Sequence, residues 1–478
     1  MYLGLDLGTS SVKGLLIDEA QGPVCEATAP LTVSRPQDGW SEQAPADWIT
    51  ATESVLDQLA AKTDLSGVSG IGLSGHMHGA TMLDASDEVL WPCILWNDTR
   101  SALQASTMDG DPQWREISGN IVFPGFTAPK VQWMRETHPE IFGSVASVLL
   151  PKDYLRLWLT GEKVAEMSDA AGTSWLDTGA RDWSDTLLEA AGLTRDVMPR
   201  LVEGAESSGT LRGELANRWG LGPSVAVAGG GGDNAASAVG MGVVKSGQAF
   251  VSLGTSGVLF AACDGYAPDP ETAVHTFCHA LPETWHQMGV ILSATDSLNW
   301  WAKMVGSDAG ALTADLGDLR APGRTLFLPY LGGERTPLNS AAVRSGFVGL
   351  DHATDQQAGT RAVLEGVAFA LADCRDALAA TGTVIDTCVA VGGGSRSDYW
   401  LSAVATALNI PLDMPVGGDF GAAFGAARLG MMAATGRTDI ATPPPIERRV
   451  EPDAALTDAF TEAHGRYREA ARHMMELS

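Results

Sequence analysis

The 478-residue chain is poor in lysine: seven lysines stand beside twenty-four arginines, and against 58 acidic residues the formal net charge is −27. A surface of that sign repels polyanions, which argues against nucleic acid or an anionic membrane as a partner. Phosphorylated ligands stay open, because oriented backbone N–H groups bind phosphate inside an acidic protein. No apolar run approaches the ~18 residues of a membrane span. The chain opens Met1-Tyr2-Leu3-Gly4-Leu5 and reaches Asp6 at once, too short for the apolar stretch of a signal peptide, so a cytoplasmic location is expected. The cysteines, at 25, 93, 263, 278, 374 and 388, form no Cys-x-x-Cys pair and no zinc-like spacing; buried free thiols are expected. Apolar residues are not scarce, at 45%, and the length exceeds what one core supports, so two or three domains are expected.

Residues 2–6 read as a short apolar strand ending in Asp6-Leu7-Gly8-Thr9-Ser10-Ser11, and residues 12–18 resume as a strand. A third strand over 24–29, a helix over 47–62 capped by Asp47, and a buried strand over 68–73 follow. This is the opening order of an RNase-H-like, actin-type subdomain. About half the chain length later, Ser252-Leu253-Gly254-Thr255-Ser256-Gly257-Val258 repeats Leu-Gly-Thr-Ser and Val in register between strand-like flanks. The simplest account is two lobes of related α/β fold around a central cleft, each offering one phosphate-binding hairpin. The boundary is expected between 240 and 247, giving domains 1–244 and 245–478. A stiff Pro-rich connector at 441–446 leads to a terminal helix over 453–477.

In the first hairpin Gly8 permits the tight turn, consecutive N–H groups and the Thr9, Ser10 and Ser11 hydroxyls suit phosphate oxygens, and Lys13 adds a cation. Asp6, at a strand end, suits Mg²⁺. The second hairpin has Ser252 where the first has Asp6, which fits one metal serving both lobes. Gly392-Gly393-Gly394-Ser395 lies between a strand and a helix from about 398; it lacks dinucleotide-fold spacing and suits the adenosine end of ATP. Gly417-Gly418-Asp419 with Gly421 opens an Ala/Gly-rich helix and reads as close packing.

The strand 225–228 ends in four glycines, then Asp233 and Asn234 at the start of an Ala-rich helix. A carboxylate at a strand end in a glycine-lined space is well placed as general base for a substrate hydroxyl; the plainer reading is a helix N-cap. His76-Met77-His78-Gly79 and Leu95-Trp96-Asn97-Asp98-Thr99-Arg100 offer polar tips with an aromatic wall, as a polyol needs. A metal pair of His76 and His78 is disfavoured, because strand alternation sends them to opposite faces.

These residues together resemble the FGGY carbohydrate kinases. Within that family, the stretches 31–36, 40–43, 76–81, 94–98, 124–130, 149–156, 168–173, 277–280 and 333–337 are similar to members acting on D-xylulose. The resemblance implies an ATP- and Mg²⁺-dependent sugar kinase that phosphorylates D-xylulose. It assigns Asp233 as base, Met77, His78, Asp233 and Asn234 as sugar contacts, and Asp6 as the metal-associated carboxylate. Thr9, Ser10, Lys13 and Thr255 become phosphate contacts, Gly393 and Gly394 the adenosine motif, and a homodimer is expected. Four glycines stand at 229–232 where the family has three; the extra residue is expected to be absorbed in the loop. Kinases for ribulose or another polyol, an actin- or Hsp70-like ATPase without a sugar acceptor, and a silent sugar sensor are the competing readings.

Overall fold

Short apolar runs broken by turn residues build the N-terminal meander. In the computed structural model, which describes residues 1–314, 316–416 and 420–477, strands β1 (Tyr2–Leu7) and β2 (Ser11–Ile17) pair antiparallel with Asp6 opposite Lys13, and β3 (Pro23–Pro30) extends the sheet. Helix α1 (Pro45–Lys62) then returns the chain to β4 (Gly70–Gly75), parallel to β1. Trp48, Ala51, Val55 and Leu59 form its buried face, as the spacing predicts. Its start is two residues earlier than expected and Asp47 is not the cap: Pro45 takes the first turn, where its missing N–H has no partner to lose, and Ala44 is the flanking residue.

After a long insertion containing α2 (Pro151–Thr160), strands β5 (Ser207–Thr210), β6 (Ala226–Ala228) and β7 (Gly231–Gly232) complete the sheet in the order β5-β6-β4-β1-β2-β3, with β7 also on β4. Helix α3 (Asp233–Met241) leads to the second sheet. Its strands are β8 (Gly247–Leu253), β9 (Gly257–Cys263), β10 (His275–Cys278), β11 (Trp285–Ile291), β12 (Ile385–Val391), β13 (Leu412–Pro415) and β14 (Ile446–Val450). They are ordered β10-β11-β9-β8-β12-β13-β14. Each sheet thus runs antiparallel meander, two parallel strands, antiparallel edge, and the two Leu-Gly-Thr-Ser turns join the matching hairpins β1–β2 and β8–β9. Strand β14 was not legible: its Ile-Glu-Arg-Arg-Val run is almost wholly exposed, so it carries no apolar alternation.

The second sheet is covered by the long apolar helix α4 (Gln356–Ala380), with α5 (Asp398–Leu408) beside it. Helix α6 (Ala422–Thr435), although it follows β13, packs on β1, β4 and β6 of the first sheet. Glycines on both sides make this seam. A Cβ on Gly72 would lie 1.7 Å from Ala426 O, and one on Gly425 would lie 1.7 Å from Ala236 O in α3. Gly417, Gly418 and Asp419, just ahead of this helix, lie outside the described residues. Helix α7 (Thr457–Glu476) closes the chain. The six thiols are unpaired, and no helix among the described residues is long and apolar enough to cross a membrane.

Candidate active site

The four glycines before Asp233 are not a loop. Strand β6 pairs with β4 up to Val227↔Ile71, and β7 resumes at Gly231↔Ser74. The first strand advances four residues while β4 advances three, so the extra residue is a one-residue β-bulge. Gly230 has φ +83°, and Gly229 is so close to Glu203 that a Cβ would meet its carbonyl at 2.2 Å. Only glycine fits either demand. The bulge delivers Gly232 to the helix-capping position and makes Asp233 the first helical residue, so the carboxylate is not the N-cap. Asp233 Oδ1 accepts from the backbone N and Nδ2 of Asn234, at 2.7 and 2.9 Å. Burial raises its pKa above the usual carboxylate value, against the lowering effect of those two bonds.

Asp6, Ser74 and Gly231 form one row across β1, β4 and β7. Two strand spacings of ~4.8 Å put the backbones of Asp6 and Gly231 about 10 Å apart, so the two predicted carboxylates share one end of one sheet. Among the described residues no group of three or more His, Cys, Asp or Glu is gathered as a metal cage.

Met77 lies against Gly232, the residue before Asp233, and Met77 and His78 both face Gly172. A Cβ on Gly232 would touch Met77 at 2.9 Å, and one on Gly172 would meet His78 Cε1 at 2.5 Å and Met77 Cε at 2.9 Å. His78 has φ +71°; its carbonyl accepts from Thr127 Oγ1 (3.1 Å) and Lys130 Nζ (2.8 Å), which hold that left-handed backbone. Its ring stacks on Phe126 with centroids 4.5 Å apart. Burial, helped by the Lys130 charge, pulls its pKa down to about 3, so the ring is neutral. Nδ1 lies 2.7 Å from Gly172 O and must donate there, which leaves Nε2 as an acceptor for a hydroxyl. His76 turns away to Trp48, 5.8 Å between centroids. The two histidines diverge as expected, but through the left-handed turn after β4 rather than strand alternation.

The hairpin tips are braced differently. Gln43 Nε2 donates to Thr9 O (2.8 Å), Trp96 Nε1 donates to Thr9 Oγ1 (3.1 Å), and Leu31 N donates to Ser10 O (2.8 Å). Lys13 Nζ lies 3.0 Å from Glu26 Oε2 on β3. In the second hairpin Thr255 O accepts from Ala294 N (2.8 Å) at the start of a helix over Thr295–Met304, and the Thr255 side chain is exposed. Gly392 (φ +93°) presses on the backbone of Leu253, Gly394 fits between Leu253 and Trp400, and Gly393 faces open space. The glycine turn predicted to take adenosine therefore sits directly on the second hairpin. A cavity of about 470 Å³ is lined by Asn234, Ser237 and Met241 of α3, Phe250 and Ser252 of β8, and Val391 and Gly392. Of the predicted sugar contacts it touches Asn234, and of the second sheet it touches Ser252 and Gly392, close in sequence to Thr255 and Gly393. Of the Trp96 stretch, Asp98 and Arg100 are consumed in structure: they pair at 2.7 Å with almost no exposure, and the guanidinium lies 3.5 Å from the Trp40 ring centroid.

Several residues had no local signal. Lys130 and Thr127 hold His78 from 49 or more positions away, and Phe277 and His275 back its ring cluster from the second sheet. Arg335 reaches His275 Nε2 at 3.3 Å and lies over Phe123. For Thr127, Lys130, Phe277 and Arg335 the only trace in the sequence was the set of family-like stretches 124–130, 277–280 and 333–337; His275 had none.

Residues 1–240 match the N-terminal domain of the FGGY family of carbohydrate kinases, and residues 249–434 match its C-terminal domain. A xylulose kinase of Escherichia coli (strain K12) is 47% identical over 483 residues, covering 100% of both chains. A crystal structure described as a xyloylose kinase from Brucella ovis superposes with a TM-score of 0.99 at 60% identity, covering 100% of each chain. A xylulose kinase structure from Rhodospirillum rubrum gives a TM-score of 0.93 at 25% identity, covering 100% of this chain and 99% of the other.

Proposed function

Because the chain belongs to the FGGY family of carbohydrate kinases, we propose that it transfers the γ-phosphoryl group of ATP to the O5 hydroxyl of D-xylulose. The observation that supports the reading is a cavity lined by Asn234, which hydrogen-bonds the Asp233 carboxylate, and by Gly392 of the glycine turn on the second sheet. It is supported by xylulose kinase relatives that match over the full length.

Asp233 accepts the hydroxyl proton as O5 attacks in line. Its raised pKa brings it nearer the working pH and makes it a better base. His78 Nε2 and the Asn234 amide hold the sugar hydroxyls, and Met77 supplies an apolar wall. The Thr9, Ser10 and Thr255 hydroxyls, with Lys13 and the hairpin N–H groups, cradle the phosphates, and Gly393 and Gly394 seat the adenosine. Asp6 could hold Mg²⁺: a carboxylate at a strand end suits an ion that arrives on nucleotide phosphates and takes few protein ligands. There the carboxylate would hold an ion that would offset negative charge on the phosphate oxygens. The domains, which we take as 1–244 and 245–478, close on the substrates and exclude water. A cytoplasmic location and assembly as a homodimer go with this reading.

The test is ADP release with Mg·ATP across D-xylulose, D-ribulose, L-xylulose, L-ribulose, glycerol and no sugar, for wild type and Asp233→Asn. D-Xylulose is expected to give by far the highest kcat/KM. Sugar-independent release would replace the kinase reading with an ATPase.

A further inference from the structure

Behind the glycine bulge lies a group of charges to which phosphoryl transfer assigns no task. Lys152, Asp153, Arg156, Glu166 and Asp169 are fully buried. Lys152 Nζ is 2.7 Å from Asp153 Oδ1, 3.0 Å from Asp169 Oδ2 and 3.3 Å from Glu166 Oε1, and Arg156 Nη2 is 3.3 Å from Asp153 Oδ1. Buried ion pairs are poor stabilisers, since desolvation offsets their attraction and apolar replacements are often as stable. Five such residues in one place call for a geometric reason.

Two contacts supply it. Arg156 Nη1 donates to Ala228 O at 3.1 Å and Nη2 to Gly229 O at 2.6 Å. These carbonyls lie where β6 leaves the β4 ladder, and buried carbonyls need partners. At the other end, Gly232 N donates to Ser168 Oγ at 3.0 Å, and that hydroxyl donates to Glu166 Oε1 at 3.0 Å. Glu166 in turn accepts from Ser168 N and Asp169 N. The cluster therefore grips the glycine stretch on both sides, and Gly232 is the residue before Asp233. Glycine is the least constrained backbone in the chain; main-chain bonds hold Gly229 and Gly230, β4 pairs with Gly231 and Gly232, and the cluster adds side-chain contacts at both ends of the run.

We propose that Arg156 and Ser168, held by the buried charges around Lys152, form a clamp that sets the reach of Asp233 toward the substrate hydroxyl. Both are positioning residues, since neither is placed to touch substrate. The proposal rests on the reading of Asp233 as general base. A displacement of the base by 1 Å is enough for a ~10²-fold rate loss.

Ser168→Ala and Arg156→Lys, each with Asp233 intact and in the Asp233→Asn background, test it by steady-state ADP release with D-xylulose. Both variants are expected to lower kcat by about 10-fold or more, while KM for ATP stays within about twofold. In the Asp233→Asn background Ser168→Ala is expected to add less than about twofold, because a side chain that cannot take the proton gains nothing from being aimed. The clamp is overturned if Ser168→Ala keeps wild-type kcat, or lowers it by the same factor with and without Asp233, as general destabilisation would. If Arg156→Lys does not fold, Ser168→Ala decides alone. If Asp233→Asn is as active as wild type, the general-base reading itself has failed and the clamp falls with it.

Discussion

The two sheets share one pattern, an antiparallel meander, two parallel strands and an antiparallel edge, and differ in chemistry. The first places Asp6 on its hairpin and Asp233 beyond its bulge; the second has Ser252 at the position of Asp6 and offers exposed hydroxyls with a glycine turn. Their covers differ as well. The second sheet is roofed by helices from its own half, whereas the first takes α6 from the far end of the chain, through glycine contacts that bring backbone against backbone. A duplicated frame thus recurs in the two halves, and the departures from symmetry supply the two carboxylates that we propose as base and metal ligand.

The largest expected effect breaks the seam. In Gly72→Ala the new Cβ would overlap Ala426 O at 1.7 Å and Gly430 N at 2.8 Å, both backbone atoms that cannot rotate away. The cost exceeds the ~1–3 kcal/mol of ordinary overpacking, so loss of soluble protein or a large fall in the urea midpoint is expected. A variant that melts like wild type would show that α6 is not tied to the first sheet in this way.

Next comes the base. Asp233→Asn is expected to lose ~10²-fold or more in kcat/KM with no fall in urea midpoint, because it removes a desolvated carboxylate. The base must be ionised, so wild-type activity falls as pH drops through its folded pKa, and the raised pKa moves that acid limb upward. The limb is expected above the ordinary carboxylate value and absent in Asp233→Asn. A smaller contrast tests the asymmetry of the hairpins. Asp6→Ala is expected to lower kcat roughly 10- to 100-fold and to raise the Mg²⁺ concentration needed for half activity, while Ser252→Ala stays within about threefold. Equal losses at the two positions would mean the hairpins share the metal equally.

Much of this was legible because the carrying residues are contiguous. The doubled Leu-Gly-Thr-Ser turn announced two related lobes, and the glycine runs marked where backbone approaches backbone or ligand. What the sequence hid is what depends on distant partners. The left-handed His78 is held by Thr127 and Lys130, the bulge by Arg156 and Ser168, and none of these has a local period to read. The missed β14 is exposed, so no buried face imposes a pattern on it, and the cap on α1 was misplaced because Pro45, not Asp47, opens the helix.

The smallest effect separates a packing glycine from a ligand glycine. Gly392 carries φ +93° and lies against the Leu253 backbone, so Gly392→Ala is expected to cost stability, at least ~1 kcal/mol by urea denaturation. Gly393 lies one residue on, with ordinary φ, and a Cβ there would meet nothing within 4 Å. If that space belongs to adenosine, Gly393→Ala leaves the urea midpoint unchanged and raises KM for ATP several-fold, with KM for D-xylulose held. If KM for ATP does not move, the nucleotide lies elsewhere along the cleft, and the cavity between Asn234 and Gly392 must be reassigned with it.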